Sequence, residues 1–191
     1  MVKAAANAIR LQGPDRIGVA ALMSKVGLTH GGFYAHFKSK DELIAEAITH
    51  MFDERYETFQ QCFHGVSKAE GLNKYIDLYL SMQHRDRRDM GCPLVSLSGD
   101  MARLPLAARK RFSVGMTRLI DAITEVLKAL DHPHPDVLAT STISEMVGAV
   151  ALSRAVPNSA LGEQFLATAR SSVKARLGLD MPGSSNVAES A

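Results

Sequence analysis

Apolar positions recur along this chain at three- and four-residue steps, and strand-like alternation is nearly absent. The clearest stripe runs through residues 106–130, where Phe112, Met116, Leu119, Ile120, Ile123, Leu127 and Leu130 share one helical face. Residues 3–12 predict a first helix, closed by Gly13-Pro14. Leu22, Met23 and Val26 give a second, from about Val19 to Val26, ended by Gly27. Thr29 suits the N-cap of a third, reaching about His36. Ser39 followed by Glu42 has the form of a capping box and opens a long fourth helix toward Phe63. Leu72, Tyr75, Ile76, Tyr79 and Met82 predict a helix over 68–84, after which "HRDRRDMG" breaks the pattern. Pro93 starts a short helix to about Arg103, "DHPHPD" is a turn, and two helices follow at about 136–155 and 160–177. The fold class is therefore all-α, with no internal repeat. A three-helix unit (1–46) precedes a larger helical body (47–178), and the division falls inside the fourth helix. The polar end, residues 179–191, is expected to be a flexible tail.

Composition narrows the function. The formal net charge of the 191-residue chain is +2, so nucleic-acid binding would need a local patch. Residues 1–50 hold six Lys/Arg and four Asp/Glu, a modest basic excess. No apolar run is long enough to span a membrane, and "MVKAAANAIR" lacks the core of a signal peptide, so no membrane partner is expected. Cys62 and Cys92 lie far apart and form no CxxC pattern, which argues against a disulfide framework and fits a reducing cytoplasm.

Two short helices joined at a glycine suggest a DNA-binding helix-turn-helix. Leu22, Val26, Leu28 and Phe33 are spaced to form its small core, with Gly27 permitting the turn. The helix from Thr29 would face the major groove, with Thr29, His30, Gly31, Gly32 and Ala35 around its outer surface. Tyr34, His36 and Lys40 can donate to phosphate oxygens. A helical hairpin inside an ordinary bundle has the same periodicity.

The segment "GLTHGGFYAHFKSKDEL" resembles the recognition segment of TetR/AcrR-family transcriptional regulators. The matching residues are Gly27, Leu28, Thr29, His30, Gly31, Gly32, Phe33, Tyr34, Ala35, His36 and Phe37, then Ser39, Lys40, Asp41 and Leu43. The likeness covers roughly residues 3–50. It implies that Thr29, His30, Gly31 and Gly32 face operator DNA, and that Tyr34, His36 and Lys40 contact phosphates. It also implies a homodimer on double-stranded operator DNA, with one recognition helix per half-site. Gly18 stands where the family often has Thr or Ser and Met23 where it usually has Ala; basic residues common before the first helix are either missing or lie upstream of the start given.

For the body the resemblance implies effector binding and dimerisation. Tyr75, Tyr79, Met82, Cys92, Met101, Phe112, Met116 and Met146 are the effector candidates, and each also reads as ordinary core. Small residues on the last two helices, among them Ser141, Ser144, Gly148, Ala151, Ala160, Ala167 and Ala169, suit a four-helix dimer interface or intramolecular packing. "GCPL" places Cys92 at an N-cap before Pro93, where the helix dipole and Arg85, Arg87 and Arg88 would favour thiolate. Cys92 is then either a sensor of electrophiles or oxidants, or a small semi-buried residue. His132, His134 and Asp136 are held in a proline-rich loop, and His30 and His36 do not share a face, so no metal site and no cofactor are expected.

The resulting reading is a one-component, homodimeric transcriptional repressor, released by a small-molecule or electrophile effector, with the long fourth helix as lever. An all-helical enzyme using Cys92 or a histidine, and a helical adaptor without operator affinity, are the rivals. No catalytic arrangement or phosphate loop can be placed from spacing, so the chain is not expected to be an enzyme.

Overall fold

The computed structural model describes residues 1–25, 27 and 30–179, and the regular elements among these are all helical. They are α1 (Val2–Gln12), α2 (Val19–Lys25), α3 (His30–Tyr34), α4 (Lys40–Cys62), α5 (Lys68–Tyr79), α6 (Met82–Asp86), α7 (Pro93–Leu97), α8 (Leu106–Ala129), α9 (Pro135–Ala155) and α10 (Ser159–Arg176). Short 3₁₀ turns lie at Arg88–Met90 and Met101–Arg103. No described helix is long and apolar enough to cross a membrane.

The 23 residues of α4 organise the molecule. At 1.5 Å per residue they span about 34 Å. Leu43, Ile44, Ala47, Ile48, Met51, Phe52, Arg55 and Phe59 are buried along one side, at the three- and four-residue steps of a helical stripe. Ala5, Ala6 and Ile9 of α1 are buried in the same core, and α1 packs on α4. The body packs α8 on α4, α9 on α8 and α10 on α9. At the α4–α8 crossing a Cβ on Gly115 would lie 2.2 Å from the Phe52 ring, so only glycine permits that approach. The Phe52 ring in turn sits edge-on to Phe112, with centroids 5.4 Å apart.

Local sequence explains most helix ends. Ser39 Oγ accepts the Glu42 N–H at 3.2 Å, which starts α4. The reciprocal half of the expected box is displaced: the Glu42 carboxylate accepts from the Lys38 N–H at 2.6 Å. A complete capping box forms instead at Ser67 and Glu70, opening α5.

Three expected helices differ. The helix predicted over 68–84 is two, because Ser81 caps a new one: its Oγ accepts the His84 N–H at 3.1 Å and donates to Leu78 O at 2.8 Å. The helix predicted from Pro93 to Arg103 stops at Leu97, and a turn closed by the Asp100 N–H on Leu97 O separates it from the 3₁₀ segment. The third helix ends at Tyr34, where His36 and Phe37 N–H groups both converge on Phe33 O as the chain turns toward Ser39. Val26, expected in the second helix, and 180–191, most of the expected tail, lie outside the described residues.

Candidate functional site

The three N-terminal helices present α3 at the surface. Gly27 has φ +71°, the left-handed geometry that the turn requires of a glycine. Leu22 and Phe33 are buried and α2 packs on α3, so the expected small core is present at those two positions. Val26 and Leu28 lie outside the described residues. The Phe33 ring stacks on Phe37 at 5.7 Å and meets Tyr34 edge-on at 5.1 Å. With Phe33 facing inward, Gly31, Tyr34, Ala35 and His36 are exposed and Gly32 is half-buried. Thr29 and the His30 side chain lie outside the described residues.

Lys40 begins α4 beside this surface. Its Nζ donates to Asp15 O at 3.1 Å and so braces the loop before α2. An ammonium has three donors, so that bond leaves others for an anion. The amides around the start of α4 are less available, since Ser39 Oγ and the Glu42 carboxylate already accept from two of them. Asp41 and Glu42 in the first turn also oppose a negative ligand there.

In the body, Tyr75, Tyr79 and Cys92 come together around two residues that spacing did not single out, Arg55 and His84. Tyr75 lies edge-on to Phe59 at 4.9 Å and 5.8 Å from Tyr79, and Tyr79 is 4.7 Å from the His84 ring. The Arg55 guanidinium lies 5.7 Å from the Tyr79 ring centre and donates to Met90 O at 3.2 Å. Among the described residues, Tyr75 Oη and Arg55 Nε are buried without a hydrogen-bond partner, and Tyr79 Oη has none other than the weakly accepting Cys92 thiol. Such groups are costly when left unpaired. Burial pushes the Tyr75 and Tyr79 hydroxyls well above the usual range, with nearby Cys92 adding to the shift, so both remain protonated donors. An opening of about 180 Å³ over Arg55 is lined also by Thr58, Gln83, His84, Arg87 and Met90.

Cys92 is the N-cap of α7, as expected from Pro93, but its setting differs. It is fully buried and α7 has only five residues, so the dipole at its N-terminus is small. Arg85 and Arg87 turn away, to Ser153 O and to Asp89. The Cys92 N–H donates to His84 Nε2 at 3.0 Å, and Nδ1 lies 2.7 Å from Tyr79 O. Because Nε2 accepts, Nδ1 carries the proton and donates to that carbonyl. Burial, then the Arg55 charge, push the imidazole down to about 3. A neutral ring with both nitrogens engaged is not placed to act as base toward Cys92.

The other effector candidates are dispersed. Phe112 packs on Phe52 and Met146 is buried in α9, while Met82, Met101 and Met116 are half-buried. None of the eight effector candidates, Tyr75, Tyr79 and Cys92 included, lines the opening over Arg55. Arg10 was also missed: buried on α1, it pairs with Glu54 at 2.8 Å. Both missed arginines lie on apolar stripes, Arg10 next to Ile9 and Arg55 three residues after Phe52, which is the signal that would have found them. Among the described residues no group of three or more His, Cys, Asp or Glu side chains is placed to hold a metal.

Residues 1–47 match the family model described as "Bacterial regulatory proteins, tetR family". No curated protein matches the chain. Solved structures share its fold. A TetR transcriptional regulator from Legionella pneumophila is 19% identical with TM-score 0.78, over 92% of this chain and 94% of that one. The reduced form of E. coli NemR is 16% identical with TM-score 0.78, over 91% and 95%. A TetR transcriptional regulator from Chloroflexus aurantiacus is 21% identical with TM-score 0.76, over 91% of each chain. Residues 1–47 thus match the N-terminal domain model of the tetR family of bacterial regulatory proteins, and along nearly its whole length the chain shares the fold of solved structures of TetR transcriptional regulators.

Proposed function

We propose that the chain is a homodimeric, one-component repressor in the cytoplasm, with 1–46 as DNA-binding domain and 47–178 as effector-binding and dimerisation domain. Each α3 enters the major groove of one operator half-site, the half-sites lying one helical turn or a multiple apart. Thr29, His30, Gly31 and Gly32 face the bases, and Tyr34, His36 and Lys40 hold the phosphates. A small-molecule effector, or modification of the Cys92 thiol, favours a dimer with different spacing and releases the DNA.

The observation that carries this reading is the continuity of α4. Lys40 starts it beside the recognition helix, and Arg55, four turns on, lies among Tyr75, Tyr79 and Cys92. An occupant that engages Tyr75 Oη, Tyr79 Oη and Arg55 Nε would act on the same rigid rod that positions the DNA-binding unit. Only an effector with unequal affinity for the two states shifts their populations. Dimerisation is supported by a groove of about 460 Å³ on α9 and α10, lined by Gly148, Ala149, Leu152, Leu161, Phe165 and Thr168. Leu152 and Leu161 are 54% and 40% exposed there, an apolar surface suited to a second copy.

Operator release tests the switch. With operator-bound protein, an electrophile is expected to release the wild type and to leave the Cys92→Ser variant bound. Equal release of both removes the thiol from the mechanism.

A further inference from the structure

We infer that a second cavity, separate from the effector region, binds a small polyvalent oxyanion, a phosphorylated or polycarboxylate molecule. It measures about 300 Å³ and lies where α1 meets α7, α9 and the Arg88–Met90 turn. Arg10, Arg88 and Arg154 line it, together with Ser96, Val95 and Ala151. No carboxylate is in the lining.

The charge balance is uneven. Arg10 is 4% exposed and pairs with Glu54, yet its Nε is buried with no partner among the described residues. Among the described residues, Arg88 and Arg154 make no ion pair. Arg154 is held in place by backbone carbonyls: Nε donates to Arg85 O at 3.0 Å and Nη2 to His84 O at 2.8 Å. Burial lowers its affinity for a proton, and the Arg88 charge acts in the same direction. The other polar side chain in the lining is already engaged, the Ser96 hydroxyl donating to Cys92 O at 3.4 Å, and outside the lining Glu54 pairs with Arg10 and Asp89 with Arg87. Two guanidinium charges without carboxylate partners therefore share a cavity with a third, in a setting that a planar or tetrahedral oxyanion relieves.

The cavity is larger than inorganic phosphate requires, which favours a ligand with two or more anionic groups. Its place gives the binding a consequence. Arg10 belongs to α1, Arg154 to α9 and Arg88 to the loop between α6 and α7. An anion held by all three ties the N-terminal unit to the body.

Isothermal titration of the full-length chain with pyrophosphate and with citrate, at fixed ionic strength, tests the site. Saturable binding of one or both is expected, and the stronger one identifies phosphate or carboxylate chemistry. Arg88 is exposed and, among the described residues, its side chain makes no hydrogen bond, so Arg88→Gln leaves the fold intact; it is expected to weaken binding about tenfold, with Arg88→Lys recovering part of the loss. Ala151→Glu, which places a carboxylate in the cavity, is expected to raise Tm and remove the response to either anion. Absence of saturable heat with both anions overturns the inference, as does binding unchanged by both Arg88→Gln and Ala151→Glu.

Discussion

The His84 ring accepts the Cys92 backbone N–H at 3.0 Å through Nε2, and this single bond joins the helix after Ser81 to the start of the helix at Pro93. The geometry requires a neutral ring, and protonation at Nε2 would turn the acceptor into a donor facing a donor. The folded-state pKa is depressed to about 3 from 6.5. The unfolded chain therefore binds the extra proton between those values, and stability present above pH 6.5 is lost as pH falls toward 3. Urea unfolding at pH 7 and pH 5 is expected to show a His84-dependent loss of about 2 kcal/mol. In His84→Gln that component should vanish; an unchanged pH dependence contradicts it.

Gly115→Ala is expected to destabilise the fold by about 1–3 kcal/mol, because the added Cβ meets the Phe52 ring. The gain in helix propensity, about 1 kcal/mol, has the opposite sign and is smaller. Thermal unfolding decides: a higher Tm for the variant would mean that α4 and α8 separate without cost.

Gly148 faces open space, with nothing within 4 Å of a built Cβ. For the proposed homodimer, Gly148→Arg is expected to keep the helical content of the chain and to halve its mass in light scattering, by placing a charge in the α9–α10 groove. A variant that stays dimeric moves the interface elsewhere.

Much of the fold was legible because its longest helices carry unbroken stripes, as Phe112 to Leu130 does for α8. The break at Leu80–Ser81 was not legible. Met82 follows Tyr79 by three residues, so the apolar rhythm continues across a cap that depends on one hydroxyl. At the candidate site, the outward placement of Gly31, Tyr34 and His36 follows from Phe33 pointing inward, which the spacing contained. Arg55 and His84 were hidden for a different reason. Charged and polar types read as surface by default; the stripe carries the burial of Arg55, but only tertiary packing shows that Arg55 and His84 meet beside Tyr79 and Cys92.

Lys40→Ala is expected to weaken DNA binding uniformly across sequences and to lower the slope of log K against log salt by about 1. Tyr34→Phe is expected to weaken binding without changing that slope. An unchanged slope for Lys40→Ala assigns its ammonium to the Asp15 carbonyl alone.

Gly32→Ala separates two roles for a half-buried glycine in α3. Lower DNA affinity with a more stable helix supports close approach of the backbone to DNA. Greater stability with unchanged affinity removes it.

The most direct test of the regulator reading is a fluorescence-anisotropy titration of the full-length chain. The ligands are duplex DNA from upstream of its own gene and a scrambled duplex of equal length, over about 50–200 mM salt. The account predicts binding that weakens steeply with salt and favours the upstream duplex by about 10³ or more. Equal affinity for the two duplexes, or no binding to either, would contradict it.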